Sequence, residues 1–127
     1  MVNKTLGGEL VYRLFESRTD AHILHLKTRS YSEHKALEEY YTRIVDLTDA
    51  LAENMQGRVG ILDYTEPEDE ESEDYADENE ANKMLLDLLL WVSENREKVS
   101  DQSDIQNQID EIVALISSTY YKIETLS

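Results

Sequence analysis

Apolar residues recur at steps of three and four through most of the chain, and the breaks in that rhythm divide it into helices. Leu10, Val11, Leu14, Ala21, Leu24 and His25 form one face of a first helix, with Arg13, Arg18 and Lys27 on its solvent side. Met1 to Gly8 is expected as a loose lead-in, because adjacent glycines at 7 and 8 weaken any helix passing through them. From Ser32 onward the stripe is Leu37, Tyr41, Ile44, Thr48, Leu51 and Met55, a long amphipathic helix that Gly57 is expected to stop. A third helix, about Asn79 to Lys98, holds Met84, Leu85, Leu86, Leu88, Leu89, Leu90, Trp91 and Val92. It is apolar nearly all round, so it should be the most buried helix or contribute to a subunit contact, with Trp91 in the core. The fourth carries Ile105, Ile109, Ile112, Val113, Ile116, Tyr120 and Ile123 on one face.

The connections differ in length. Thr28 to Ser32 is short and polar, and Ser30 with Glu33 forms a capping-box pattern, so the first two helices should be antiparallel neighbours. Ser100, Asp101 and Ser103 supply turn and capping chemistry before the fourth helix, and Arg96 and Lys98 suit the negative end of the third. Between the second and third helices the chain reads DYTEPEDEESEDYADENE, eleven acids without a base over residues 63–80. Self-repulsion and absent periodicity mark an exposed connection, longer than a hairpin needs. A plain solvated loop is the better reading than a cation funnel, since nothing in it repeats with ligand spacing. The fold class is therefore all-α: a four-helix bundle, 1–127 as one domain, with a long acidic crossover at about 57–79.

Charge and composition narrow the function. Lysine and arginine number 12 against 28 aspartates and glutamates, a net charge of −16. Nucleic-acid phosphates and anionic membranes are poor direct partners for such a chain, whereas cations or a basic protein surface suit it. No cysteine is present, which removes disulfides, thiolate ligands and thiol nucleophiles together. No apolar run approaches the length of a membrane span and no signal-peptide core is evident, so a cytoplasmic protein is expected. The last two helices contain neither histidine nor a Glu-x-x-His pair, which excludes a self-contained di-iron site by ligand count. Phosphate-loop, nucleophile-elbow and zinc signatures are absent too, and the eight tyrosines fall mostly where packing explains them.

One helix edge remains. Beside the stripe of the second helix run His34, Glu38, Asp49 and Glu53, within a sector of roughly 100° at 100° per residue. Each of the pairs His34/Glu38 and Asp49/Glu53 is one turn apart and close enough to share an ion. The plain alternative is a solvated helix edge, because acids at this spacing are common. Glu38 and Asp49 lie about 16 Å apart along the axis, a gap one helix cannot close. Two copies crossing antiparallel about a two-fold axis would bring His34/Glu38 of one opposite Asp49/Glu53 of the other.

This spacing resembles that of the DNA-binding protein from starved cells (Dps) group of the ferritin-like superfamily. That group has a histidine late in the first helix, a histidine and an acid four residues on, then Asp-x-x-x-Glu eleven residues after that acid. The resemblance implies a ferritin-like four-helix bundle, whose second and third helices are joined by a crossover travelling the length of the bundle. It also implies a homodimer or higher homo-oligomer, and an iron-binding, ferroxidase-type site bridging two subunits. The histidine of the first helix is His22 by gapless counting and His25 by alignment on the helix end. Imidazole and carboxylate ligands suit iron and tolerate manganese or zinc. The chain departs from the group in having Glu38 where Asp is usual, Leu26 where Trp is common, and no lysine-rich tail. Small ferritin-like proteins of tailed phages are also similar in length, and for them no activity is implied. Two other classes stand beside the metal reading. One is a non-catalytic acidic protein, such as a virion component or inhibitor, docking on a basic protein. The other, an acidic mimic of nucleic acid, is disfavoured by the concentration of charge in one connection.

Overall fold

The computed structural model describes residues 1–67, 75 and 80–127, which form four α-helices and, among the described residues, no strand. They are α1 (Lys4–Lys27), α2 (Tyr31–Val59), α3 (Ala81–Val99) and α4 (Ser103–Leu126). Residues 68–74 and 76–79, the greater part of the acidic stretch expected as a crossover, lie outside the described residues. No described helix is long and apolar enough to cross a membrane.

Side-chain contacts give the helix directions. Lys122 Nζ pairs with Glu39 at 3.2 Å and Asn54 donates to Asp104 at 3.1 Å, so α2 and α4 are antiparallel. Asn3 N–H donates to the Val99 carbonyl at 2.8 Å, placing the start of α1 beside the end of α3. Asn82 donates to Glu124 at 2.9 Å, placing the start of α3 beside the end of α4. Around the bundle, α1 packs on α2 and α3, and α4 packs on α2 and α3. Consequently α2 and α3 point the same way, and the chain leaves α2 at one end of the bundle and enters α3 at the other. At 1.5 Å per residue, that separation is on the order of 28 Å.

The core follows the sequence stripes with informative exceptions. Every residue named for the first helix face is buried, and Ser17 joins them. On α2 the fully buried tyrosine is Tyr40, whose hydroxyl lies 2.7 Å from Ser17 Oγ, while Tyr41 is only partly buried. Both positions fit a three-to-four step, and the neighbour across the interface decides between them. Thr48 is fully buried as the stripe requires, with no hydrogen-bond partner for its hydroxyl among the described residues. Trp91 is not a core residue: it is half-buried, and the Arg13 guanidinium lies over its ring at 4.5 Å from the centroid. Nor is α3 buried all round, since Leu90 is 59% exposed.

Two helix boundaries differ from the expectation, each for a local reason. α1 begins at Lys4, capped by the Asn3 side chain accepting from Leu6 N–H, and runs straight through Gly7 and Gly8. A Cβ at Gly8 would stand 1.9 Å from the Asp63 carbonyl oxygen, so the glycine is there to admit the chain leaving α2. Asp63 is clasped in that notch: its N–H donates to the Lys4 carbonyl at 3.2 Å, and Thr5 Oγ1 donates to its carboxylate at 3.0 Å. α2 likewise continues past Gly57, which meets nothing within 4 Å of where a Cβ would stand. The helix stops at Gly60, whose φ of 82° is a conformation that favours glycine. Ser30 caps α2 as expected, accepting from Glu33 N–H at 3.2 Å, but its own N–H is taken by Thr28 Oγ1, so the box closes on one side only.

Candidate functional site

The histidines meet where α1 turns into α2. α1 ends at Lys27, and its last-turn carbonyls lack helical donors. Thr28 N–H satisfies that of Leu24 at 2.9 Å, and the His34 ring reaches back to satisfy that of His25 at 2.7 Å. The contact is reciprocal, since His25 Nδ1 lies 2.7 Å from the His34 carbonyl. The two rings stack at 3.7 Å between centroids, with 18° between their planes. His25 is 7% exposed and His34 partly buried.

These bonds fix a protonation pattern. A carbonyl can only accept, so each Nδ1 carries the proton and, in the neutral rings, each Nε2 keeps its lone pair. A metal-ligating histidine has its other nitrogen held in the same way by a backbone carbonyl or carboxylate. The same bonds also serve a purely architectural end, since they cap α1 and tie it to α2.

His22 takes a different place. It is exposed, stacks on Tyr41 at 4.1 Å and lies edge-on to His25 at 6.0 Å. Tyr41 also meets the edge of His25 at 5.3 Å, and Tyr31 lies 6.3 Å from His34. Of the two histidines on the first helix, His25 is therefore the partner of His34. The sequence pattern places Tyr41 on the core stripe and gives Tyr31 no role, although a position seven residues after His34 is also two turns along the same edge.

Among the acids, Glu38 belongs to this end of the molecule. Lys35 Nζ donates to it at 3.2 Å, and this hydrogen bond and charge hold the Glu38 carboxyl below the usual carboxylate range, with His25 and His34 pulling the same way. The spacing of Lys35 and Glu38, three residues on a helix, is the signal that would have found this pair. Asp49 and Glu53 are exposed further along α2, which is unbroken from Tyr31 to Val59, so they do not reach the histidines of their own chain. Among the described residues, no three His, Cys, Asp or Glu side chains of one chain come together as a group able to hold a metal. One chain thus brings His25, His34 and Glu38 to one end, with His22 alongside, and leaves Asp49 and Glu53 apart.

Fold and site together define an all-helical four-helix protein with an imidazole pair clasping the turn between its first two helices. The chain belongs to a family of unknown function, DUF5856, whose model matches residues 25–123. That match takes in His25, His34, Glu38, Asp49 and Glu53 and leaves His22 outside. No curated protein and no solved structure matches the chain.

Proposed function

We propose that this protein is a ferritin-like, Dps-like metal-binding bundle, whose site is shared between two copies of the chain. The observation that carries the reading is the His25–His34 pair, two adjacent imidazoles with both Nδ1 atoms bonded to carbonyls, which presents the ligand tautomer of each ring. Glu38 lies one turn beyond His34 on the same helix, and since no three such side chains of one chain gather into a group able to hold a metal among the described residues, an ion would need donors from a second copy. Asp49 and Glu53 of a second copy supply the missing oxygens. The helix order supports the same reading, because a short connection, one joining opposite ends and another short one is the ferritin-like arrangement. Iron fits this donor set best as substrate, with manganese or zinc tolerated. Ferrous iron held there would give one electron to dioxygen or peroxide, making the protein a ferroxidase and iron-sequestering oligomer. The chain's own residues bind and orient the ion: His25 and His34 as neutral ligands, and the carboxylates as charge to match the cation. His22, exposed and stacked on Tyr41, sits at the rim.

Mixing two variants tests the shared site. Glu38→Ala and Asp49→Ala each remove one half of every site in a homodimer, whereas a mixed dimer keeps one intact site of two. Metal content of the mixture, after subunit exchange is confirmed by native mass spectrometry, should recover to about half that of wild type in the mixed dimers. Exchange without recovery, or a wild-type chain that stays monomeric at micromolar concentration, overturns the reading. The net charge of −16 then favours the second one, an acidic protein that docks on a basic protein partner.

A further inference from the structure

We infer that the outer face of the α1–α2 hairpin is a self-complementary docking surface for a second copy of this chain, with the two-fold axis beside Phe15. The inference shares its second copy with the reading above, but it rests on exposed apolar residues and needs no metal, so the two can fail separately.

Four large apolar side chains lie open on that face: Phe15 at 37% exposed, Leu26 at 72%, Tyr31 at 76% and Tyr64 at 43%. Phe15 and Leu26 are eleven residues apart, which at 100° per residue leaves them within about 20° of each other around α1. His22, two turns after Phe15, stacks on Tyr41, so this edge of α1 is the one beside α2. On α2, Tyr31 is two turns before Glu38, and the Tyr64 hydroxyl donates at 2.5 Å to Gln56, two turns beyond Asp49.

Contacts between the helices set the heights. His25 is level with His34, so Leu26 and Tyr31 share one end of the face. Asp63, next to Tyr64, is bonded to Lys4 and Thr5 at the other end. Phe15 stands about 16 Å from Leu26 and about 15 Å from Thr5 along α1 at 1.5 Å per residue. A two-fold axis beside Phe15 therefore lays Leu26 and Tyr31 of each copy on Tyr64 of the other, with the two Phe15 rings together. Arg29, exposed just beyond Leu26, then comes over Asp63 of the other copy, basic on acidic at both ends. Because Ser17 is level with Tyr40, Phe15 is level with about Arg43 on α2, the midpoint of His34, Glu38, Asp49 and Glu53. The apolar residues and the candidate ligands have no member in common, yet they give one axis. α1 has 24 residues. Two such helices side by side present a face about 36 Å by 20 Å, on the order of 700 Å² per copy, close to the roughly 800 Å² per partner of specific interfaces.

Sedimentation of the full-length chain in chelator tests the face without metal. Wild type should be a dimer with a micromolar Kd. Phe15→Glu sets two carboxylates together at the axis and should raise that Kd about tenfold or more, with helical circular dichroism retained. Leu26→Glu, at a position already open to water, should act in the same direction, and Leu90→Glu, on the exposed side of α3, should leave the dimer unchanged. The chain has no cysteine, so introduced thiols report distances cleanly. With a short bismaleimide, Phe15→Cys should link to itself, and Leu26→Cys should link to Tyr64→Cys when the two are mixed but not to itself. A metal-free dimer that Leu26→Glu does not weaken, or Leu26→Cys chains that link to one another, overturn the inference and leave the metal reading standing. So does a dimer that forms only with added manganese. A metal-free dimer with the expected links that binds no manganese upholds the inference while the metal reading falls. A chain monomeric with and without manganese overturns both.

Discussion

Tyr40 is the largest of the fully buried side chains and the one with a proton to lose. Burial pushes its phenol far above the ordinary range, and the bond to Ser17 offsets only part of that. For a group whose folded pKa is raised, the stability it confers is complete below the unfolded pKa and is lost as pH rises toward the folded one. The unfolded phenol ionises near pH ~10. Between about pH 10 and 12 wild type should therefore lose stability with a component approaching ~1.4 kcal/mol per pH unit from this one residue. Thermal melts of Tyr40→Phe over that interval should fall less steeply than those of wild type, the other tyrosines being common to both. Identical slopes would mean that Tyr40 ionises in the folded bundle without resistance. The sequence pattern pointed to its neighbour, Tyr41, and a single-chain reading could not separate them. The deciding fact is Ser17, a polar residue on the core face of α1 whose hydroxyl awaits the phenol.

At the scale of the helices, the glycines make the sharpest comparison. Gly8 and Gly57 are both helical, yet one lies against the Asp63 backbone and the other in open space. Gly57→Ala should stabilise by about 0.5–1 kcal/mol through helix propensity alone. Gly8→Ala gains the same propensity and should nonetheless destabilise, by roughly 1–3 kcal/mol, because the backbone at Asp63 must move. Denaturant titration of the two variants checks both signs, and a stabilised Gly8→Ala would show that the clasp on α1 is loose. Helix periodicity made four helices legible and placed the fourth closely, since Ile105, Ile109, Ile112, Ile116 and Ile123 are all buried, while Leu115 and Thr119 are buried where Val113 and Tyr120 are expected. It misplaced the start of α1 and the end of α2 because glycine carries two meanings, a weak helix former and a surface for close approach. Only the position of Asp63 distinguishes them. The same limit applies at the site. His34 and Glu38 were visible as a helical pair, whereas the closure of His25 on His34 depends on how α1 and α2 meet.

Across the whole molecule, 28 acids against 12 bases make self-repulsion a general term. Ion pairs between helices that relieve it among the described residues, such as Arg96–Asp110, Lys122–Glu39 and Arg58–Asp104, are partly exposed and so contribute little each. Raising sodium chloride from about 10 mM to 0.5 M shortens the Debye length from about 30 Å to a few ångströms. The melting temperature should rise over that range, as repulsion between distant carboxylates is screened before close pairs are. A fall would mean that the pairs outweigh the repulsion.

The clasp of Asp63 on α1 bears on how the two halves of the bundle find each other. With its start pinned beside Lys4, Thr5 and Gly8, the connection from α2 to α3 has its origin fixed on the first hairpin. The seating of the second hairpin rests on α1 against α3 and α2 against α4. The covalent link then acts as a tether: it sets the effective concentration at which one hairpin meets the other. At Tyr75 the same link is held on the other hairpin, since that ring packs against the core and its hydroxyl donates to Asp87 of α3 at 2.6 Å, so the connection is anchored at both halves of the bundle.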